Sequence, residues 1–239
     1  MEISVITITI DPDKKLFPTL DSVRSQKHIN VEHIVVDGVK DREYPRETNG
    51  KVFYHEPRGV YEALNFGIKN STGQIIGMVH GGDRMTSDNI LEQIAKAFEE
   101  NPDIDFVYGD IRYTNGRVYR ASNFKPSHLT MGMTPPHPSL YVRRSVFEKI
   151  GLYDESFRCG GDIDMWIRLF SDHSFKSLYL PITMVEMSLN GISSSFKARL
   201  YANNVDKMKA LRKNGYNICP LRLAGKYLLM LRYALKIKK

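Results

Sequence analysis

Gln74-Ile75-Ile76-Gly77-Met78-Val79-His80-Gly81-Gly82-Asp83 is the stretch from which the architecture of the whole chain can be read. Its first half is an apolar run of strand type, and its second half breaks into two glycines and a carboxylate. A buried strand that ends in such a loop points to an α/β domain, where ligands bind beyond the carboxyl ends of the strands. Paired glycines let the backbone approach a bulky ligand closely. A carboxylate at that place can hold a hard divalent cation against a phosphate. A plain turn role for Asp83 stands beside that reading.

Upstream, residues 3–10 form a β-branched run that reads as a buried strand, broken by Asp11 and Pro12. Leu16, Leu20 and Val23 recur at helical spacing within residues 16–27. Residues 31–36 read as a second strand ending at Asp37-Gly38, and residues 39–50 are polar and irregular. A short strand over 51–55 precedes a helix over Val60–Lys69, closed by Asn70-Ser71-Thr72-Gly73. Downstream, Thr86-Ser87 is placed to cap a helix running to about Glu100, where Asn101-Pro102 stops it. Residues 105–108 read as a strand, and residues 111–120 as a hairpin turning at Asn115-Gly116. The proline-dense loop Pro135-Pro136-His137-Pro138 must be extended. A strand over 139–142, a helix over Arg144–Ile150 and a loop over 151–157 follow. Cys159-Gly160-Gly161-Asp162 then leads into a helix over 163–170, and residues 176–180 close the pattern as a last strand. Strands alternating with helices predict an α/β fold with a largely parallel sheet, joined late by antiparallel strands.

Composition sets limits on the function. The 239 residues are 42% hydrophobic and 26% charged, as in a folded globular chain. The net charge of +7 is unevenly placed. Residues 196–239 carry 12 Lys and Arg against one acid, Asp206, while residues 1–195 carry 22 basic and 26 acidic residues. The body therefore has no nucleic-acid footprint, and the tail has the charge to meet an anionic surface. Cys159 and Cys219 match no zinc spacing and imply no disulfide framework, which fits a reducing compartment. The N-terminus enters a strand pattern directly, so no signal peptide is expected. No apolar run reaches the ~18 residues of a membrane span.

Four blocks in order resemble the family-2 glycosyltransferases with a GT-A fold, especially those of bacterial polysaccharide assembly. They are residues 3–10 with Val35-Val36-Asp37-Gly38; Glu56-Pro57-Arg58-Gly59-Val60-Tyr61-Glu62-Ala63-Leu64-Asn65-Phe66-Gly67; residues 73–83; and His137-Pro138-Ser139 through Arg143-Arg144 to Gly160-Gly161-Asp162-Ile163-Asp164-Met165-Trp166-Ile167-Arg168-Leu169. The resemblance implies one α/β GT-A domain, Rossmann-like with a mixed, mostly parallel sheet, over residues 1–195, and a basic helical extension over 196–239. It implies an inverting hexosyltransferase that moves a sugar from a nucleoside-diphosphate sugar to a hydroxyl of a glycan or lipid-linked acceptor in cell-surface polysaccharide assembly. The expected location is cytoplasmic and peripheral, at the inner face of the membrane.

The resemblance also assigns residues. Asp83 matches the last acid of the family's metal motif and is expected to hold Mn or Mg with the diphosphate. Gly82 stands where many members have a second acid. Asp162 matches the base that takes the acceptor proton, although Asp at a helix start is also a favoured cap. Asp164 competes for that role, or simply pairs with Arg168 one turn on. Thr9, Asp11 and Asp37 are expected to border the nucleotide, with Glu62 and Asn65 near it. Arg58 reaches a phosphate or stays a solvated loop charge, and Tyr61 and Leu64 are expected to pack. His137 is assigned to substrate, in a loop stiffened by Pro135, Pro136, Pro138 and Pro181. Trp166 is assigned to the core or to the acceptor wall.

From Pro220 onward, Leu223, Ala224, Tyr227, Leu231, Ala234 and Leu235 line one helical face, with Arg222, Lys226, Arg232 and Lys236 opposite. This face can meet anionic lipid or pack on the body. A non-catalytic nucleotide-sugar-binding or scaffold protein is the alternative function. A nucleotidyltransferase lacks its Gly-rich basic loop here.

Overall fold

The computed structural model describes residues 1–10, 13–28, 30–44, 50–131, 133–189 and 205–217. Asp11, Cys219 and the amphipathic stretch from Pro220 lie outside them.

The described strands form one nine-stranded mixed sheet. One side of it is built from β1 (Ile3–Thr9), β2 (Val31–Asp37) and β4 (Ile75–Met78), with β3 (Lys51–Tyr54) at the edge beside β2, all mutually parallel. Successive strand side chains point to opposite faces, and the residues obey this. Ile3, Val5, Ile75 and Val79 face one core, while Ile6, Ile34, Ile76 and Met78 face the other. The first core is closed by α3 (Ile90–Glu100), with α1 (Asp13–Arg24) on the same side placing Leu16 and Leu20 against Val35. The second core is closed by α2 (Val60–Lys69), α4 (Arg144–Ile150) and α5 (Gly161–Ser171). Gly77 sits where no side chain fits, since a Cβ there would lie 2.0 Å from the Tyr141 ring.

Beyond β4 the sheet turns mixed. β8 (Tyr141–Arg143) runs antiparallel to both β4 and β6 (Phe106–Tyr113), and β7 (Val118–Tyr119) completes the expected hairpin at Gly116, whose φ is +84°. The two-residue β5 (Arg84–Met85), absent from the sequence reading, pairs with β9 (Ser177–Met187).

Two expectations are corrected. The last strand does not stop before Pro181 but runs to Met187. Pro181 falls in an irregular step, where β6 jumps from Tyr108 to Asp110 while β9 moves from Tyr179 to Thr183. A proline is tolerated where the ladder is already broken. Thr86-Ser87 does not cap α3. The Thr86 hydroxyl donates to the Thr183 carbonyl, and the Leu91 amide finds Gln26 Oε1, just past the end of α1, at 3.1 Å.

Part of the basic tail belongs to the body. Ala210 and Leu211 of α6 (Lys207–Lys213) join the same core as α5, so a boundary at residue 195 does not separate α6 from the domain. Lys213 pairs with Asp154 and Asp164, and Lys209 bonds Ser156. Some of the tail's positive charge thus neutralises acids of the body. No helix among the described residues is long and apolar enough to cross a membrane.

Candidate active site

The parallel strands bring three loops to one edge. Thr9 and Asp37 are register partners, the Gly38 amide donates to the Thr9 carbonyl at 2.8 Å, and the Gly81 amide donates to Ile8 at 3.1 Å. The ends of β1, β2 and β4 therefore lie side by side, where a sheet of this type binds its ligand. Thr9, Asp37 and Asp83 are all buried there.

The Gly81-Gly82-Asp83 loop is built by α1 and β9. Gly82 has a φ of +92°, a conformation that favours glycine, and its amide donates to Thr19 Oγ1 at 3.0 Å. The next fixed point is Ser22, whose hydroxyl accepts the Met85 amide at 3.1 Å. Asp83 Oδ1 accepts the Ser188 amide at 2.9 Å, past the end of β9. The loop thus presents one carboxylate on a fixed backbone, and no cluster of three or more His, Cys, Asp or Glu able to hold a metal occurs among the described residues. One carboxylate matches a cation that is held mainly by substrate phosphates, as Mg²⁺ commonly is.

Asp37 is already engaged. Arg42 Nε lies 2.5 Å from Oδ2, the Tyr44 hydroxyl donates to Oδ2 at 2.6 Å, and the Val39 amide donates to Oδ1 at 2.8 Å. Arg42 and Tyr44, missed in the sequence, come from the segment read as irregular. Their signal was only a cation and a phenol within seven residues of a strand-end acid.

Asp162 is the second residue of α5, whose N-cap is Gly160, so it is not the helix cap. It remains partly exposed. Burial pushes its carboxyl up to about 6, while the amides of Ile163 and Asp162, the Lys207 ammonium and the Tyr61 hydroxyl pull it the other way. A carboxylate in that range suits a general base near neutral pH. Asp164 is fully buried, held by Arg168 at 2.9 Å, by Lys213 at 3.1 Å and by the Asn214 amide at 2.9 Å. With its oxygens so occupied, it links α5 to α6 and leaves Asp162 as the carboxylate open to a substrate.

The remaining expected residues divide. Arg58 is two-thirds exposed and paired with Glu56 at 2.8 Å, on the solvated side of its two readings. Glu62 lies 3.4 Å from His55 Nε2, whose ring stacks on Phe66. Asn65 clamps the Tyr153 backbone, donating to its carbonyl at 2.8 Å and accepting from its amide at 3.0 Å. His137 is buried and shares a hydrogen bond with the Tyr153 hydroxyl at 2.9 Å. Burial, then the neighbouring His80, hold His137 down to about 3, and burial holds His80 down to about 4. Burial thus favours the neutral form of both imidazoles at pH 7. Trp166 is fully buried and stacks on Phe170, edge-on to Phe106 and Tyr108, so its place is the core and not a substrate wall. Tyr61, expected only to pack, also reaches Asp162: its hydroxyl donates to Oδ1 at 3.4 Å.

With this geometry in place, the comparisons with known proteins are specific. The model of "Glycosyl transferase family 2" matches residues 4–160. A PGL/p-HBAD biosynthesis glycosyltransferase of Mycobacterium bovis is 27% identical over 204 residues, covering 80% of this chain and 79% of that one. An uncharacterized glycosyltransferase of Rickettsia typhi is 31% identical over 192 residues, covering 70% of this chain and 58% of its own length. Among solved structures, Staphylococcus aureus TarS 1-349 in complex with UDP-GlcNAc superposes with a TM-score of 0.65 at 18% identity, covering 88% of this chain and 69% of TarS 1-349. The mannosyltransferase PcManGT from Pyrobaculum calidifontis, in complex with GDP-Man and Mn2+, superposes at 0.58 with 14% identity, covering 99% and 80%. At these identities the two structures speak for the fold alone.

Proposed function

We infer the function from one premise: the chain belongs to glycosyl transferase family 2, with the α/β architecture of the GT-A type, and is a glycosyltransferase. The finer reading we propose is an inverting transfer from a nucleoside-diphosphate sugar to a hydroxyl of a glycan or lipid-linked acceptor. The observation that carries it is Asp162, a partly exposed carboxyl raised to about 6 at the start of α5. In this reading the acceptor hydroxyl oxygen attacks the anomeric carbon while Asp162 takes its proton. The bond from that carbon to the diphosphate oxygen breaks, and its electron pair leaves with the diphosphate. A single displacement of this kind inverts the anomeric centre.

Thr9, Asp37 and the Arg42 and Tyr44 groups that hold it would meet the nucleotide, with Asp11 expected beside them. Asp83, on its fixed loop, would hold a Mn²⁺ or Mg²⁺ ion together with the diphosphate. When bound, such an ion offsets the charge that develops on the leaving group. Donors of this class are supported by the neighbours bound to UDP-GlcNAc and GDP-Man. The acceptor class rests on the family resemblance, and a place at the cytoplasmic face of the membrane on the basic charge of residues 196–239. The scaffold alternative predicts binding without turnover, and nothing in the geometry favours it over a carboxylate poised to accept a proton.

The test is Asp162→Asn. Sugar transfer should fall about 10²- to 10⁴-fold, with binding of the nucleoside diphosphate unchanged. Full transfer by that variant would overturn the assignment.

A further inference from the structure

Asp162 follows two glycines, and the structure gives each of them a reason. A Cβ on Gly161 would lie 2.8 Å from the Tyr61 ring, and a Cβ on Gly160 would lie 2.5 Å from that of Asp206. Neither approach is possible for a larger residue without displacement. The loop is pressed between α2 on one side and the start of the segment 205–213 on the other.

Each neighbour also bonds the loop. The Tyr61 hydroxyl donates to Asp162 Oδ1 at 3.4 Å and accepts the Asp162 amide at 3.3 Å. Asp206 Oδ2 accepts the amides of Cys159 at 2.7 Å and Gly160 at 3.0 Å. Tyr61 is 5% exposed and Asp206 2%, so water does not compete for these contacts. Packing alone would require only the Tyr61 ring, and a buried carboxylate is costly unless its oxygens are used.

We propose that Tyr61 and Asp206 are positioning residues that clamp the base loop Cys159-Gly160-Gly161-Asp162 from opposite sides, so that the segment 205–213 completes the catalytic unit. The proposal rests on Asp162 being the base. Both would act through Asp162 and its loop rather than on the substrate. Tyr61 fixes the carboxylate's direction, and Asp206 fixes the backbone that carries it. The segment that supplies Asp206 also supplies Lys207, a cation that faces Asp162. The other ionisable groups facing it are Tyr61, Tyr153 and Cys159, whose protons burial holds more tightly than usual. Between pH 5 and 8, then, Asp162 is the group of this set that titrates.

The experiment compares Tyr61→Phe, Asp206→Ala and Asp206→Asn with the wild type and Asp162→Asn, measuring transfer from pH 5 to 9. Misplacing a catalytic group by about 1 Å costs up to ~100-fold. Tyr61→Phe should lower kcat about 10-fold at unchanged donor KM. Its acid limb should move to higher pH, because a donor to the charged carboxylate is gone. Asp206→Ala should lose ~10- to 100-fold in kcat, and Asp206→Asn should recover most of that, since its amide oxygen still accepts. If Asp206→Ala fails to fold, Tyr61→Phe and Asp206→Asn carry the test. A lowered Tm with wild-type kcat and an unmoved acid limb in Tyr61→Phe would overturn the clamp. Transfer by Asp162→Asn would place the failure in the base assignment instead.

Discussion

Asp162→Asn should make the folded protein more stable at neutral pH while it removes activity. The carboxyl has its proton affinity raised from the ordinary 3.8 to about 6 by burial. The sign follows from linkage. The folded state holds the proton more tightly than the unfolded one, so this group's contribution to stability is fully present below pH 3.8, is lost as pH rises to about 6, and is level above that. Each tenfold in proton affinity is worth about 1.4 kcal/mol, which makes the full difference about 3 kcal/mol. Asp162 is partly open to solvent, so ~1–2 kcal/mol is the expected share. Asparagine cannot ionise and escapes this loss. Urea unfolding at pH 7.5 should show Asp162→Asn stabilised by ~1–2 kcal/mol, and at pH 4 the difference should shrink towards zero. In the wild type, kcat/KM should fall below pH 6 with unit slope, to about a tenth of its plateau at pH 5. A variant less stable than wild type at pH 7.5, or equally stabilised at both pH values, would refute the reasoning. So would an acid limb centred near pH 4.

Other consequences can be measured independently. Asp164→Ala strands Arg168, Lys213 and Asn214 around an emptied buried position, and removing one partner of such a group costs ~3–5 kcal/mol; urea unfolding should show that loss, and a change under 1 kcal/mol would dismiss the link between α5 and α6. Gly77→Ala drives a methyl into the Tyr141 ring and should lower stability by at least ~1–3 kcal/mol, with part of it restored by adding Tyr141→Leu. Mn²⁺ alone should shift the melting temperature little, because the loop presents one carboxylate, whereas Mn²⁺ with a nucleoside diphosphate should raise it in proportion to occupancy; a large shift from Mn²⁺ alone would mean a protein-built metal cage.

Legibility in the sequence followed how local each cause was. The helices over Val60–Lys69 and Arg144–Ile150 were bounded correctly because their apolar period and flanking breakers lie within a dozen residues. The ends of β1, β2 and β4 were readable because a buried parallel strand is continuous and its loop is abrupt. The α3 start was misread because its first-turn amide is satisfied by Gln26, 65 residues away. The last strand was ended at Leu180 because nothing nearby tells that Gly109 of the neighbouring strand opens the ladder opposite Pro181, its absent Cβ leaving room for the carbonyls of Leu180 and Ile182.

The same distinction governs the site. Asp83 and Asp162 were visible as acids at the ends of patterned segments. Their surroundings were not, because Thr19, Ser188, Tyr61 and Asp206 reach their loops from 46 to 105 residues away. The two glycines before Asp162 show what this costs a sequence reading. Taken locally, Gly160-Gly161 is a flexible lead into a helix. In the structure neither glycine has a φ in the left-handed range; each is needed for closeness to a neighbour. Flexibility and close packing ask for the same residue, and only the neighbours tell them apart. Here the neighbours are α2 and a segment from the basic tail. The loop before Asp162 is therefore held by segments that precede and follow it in the chain, which is what a carboxylate would need if it is to take a proton from one position on the acceptor.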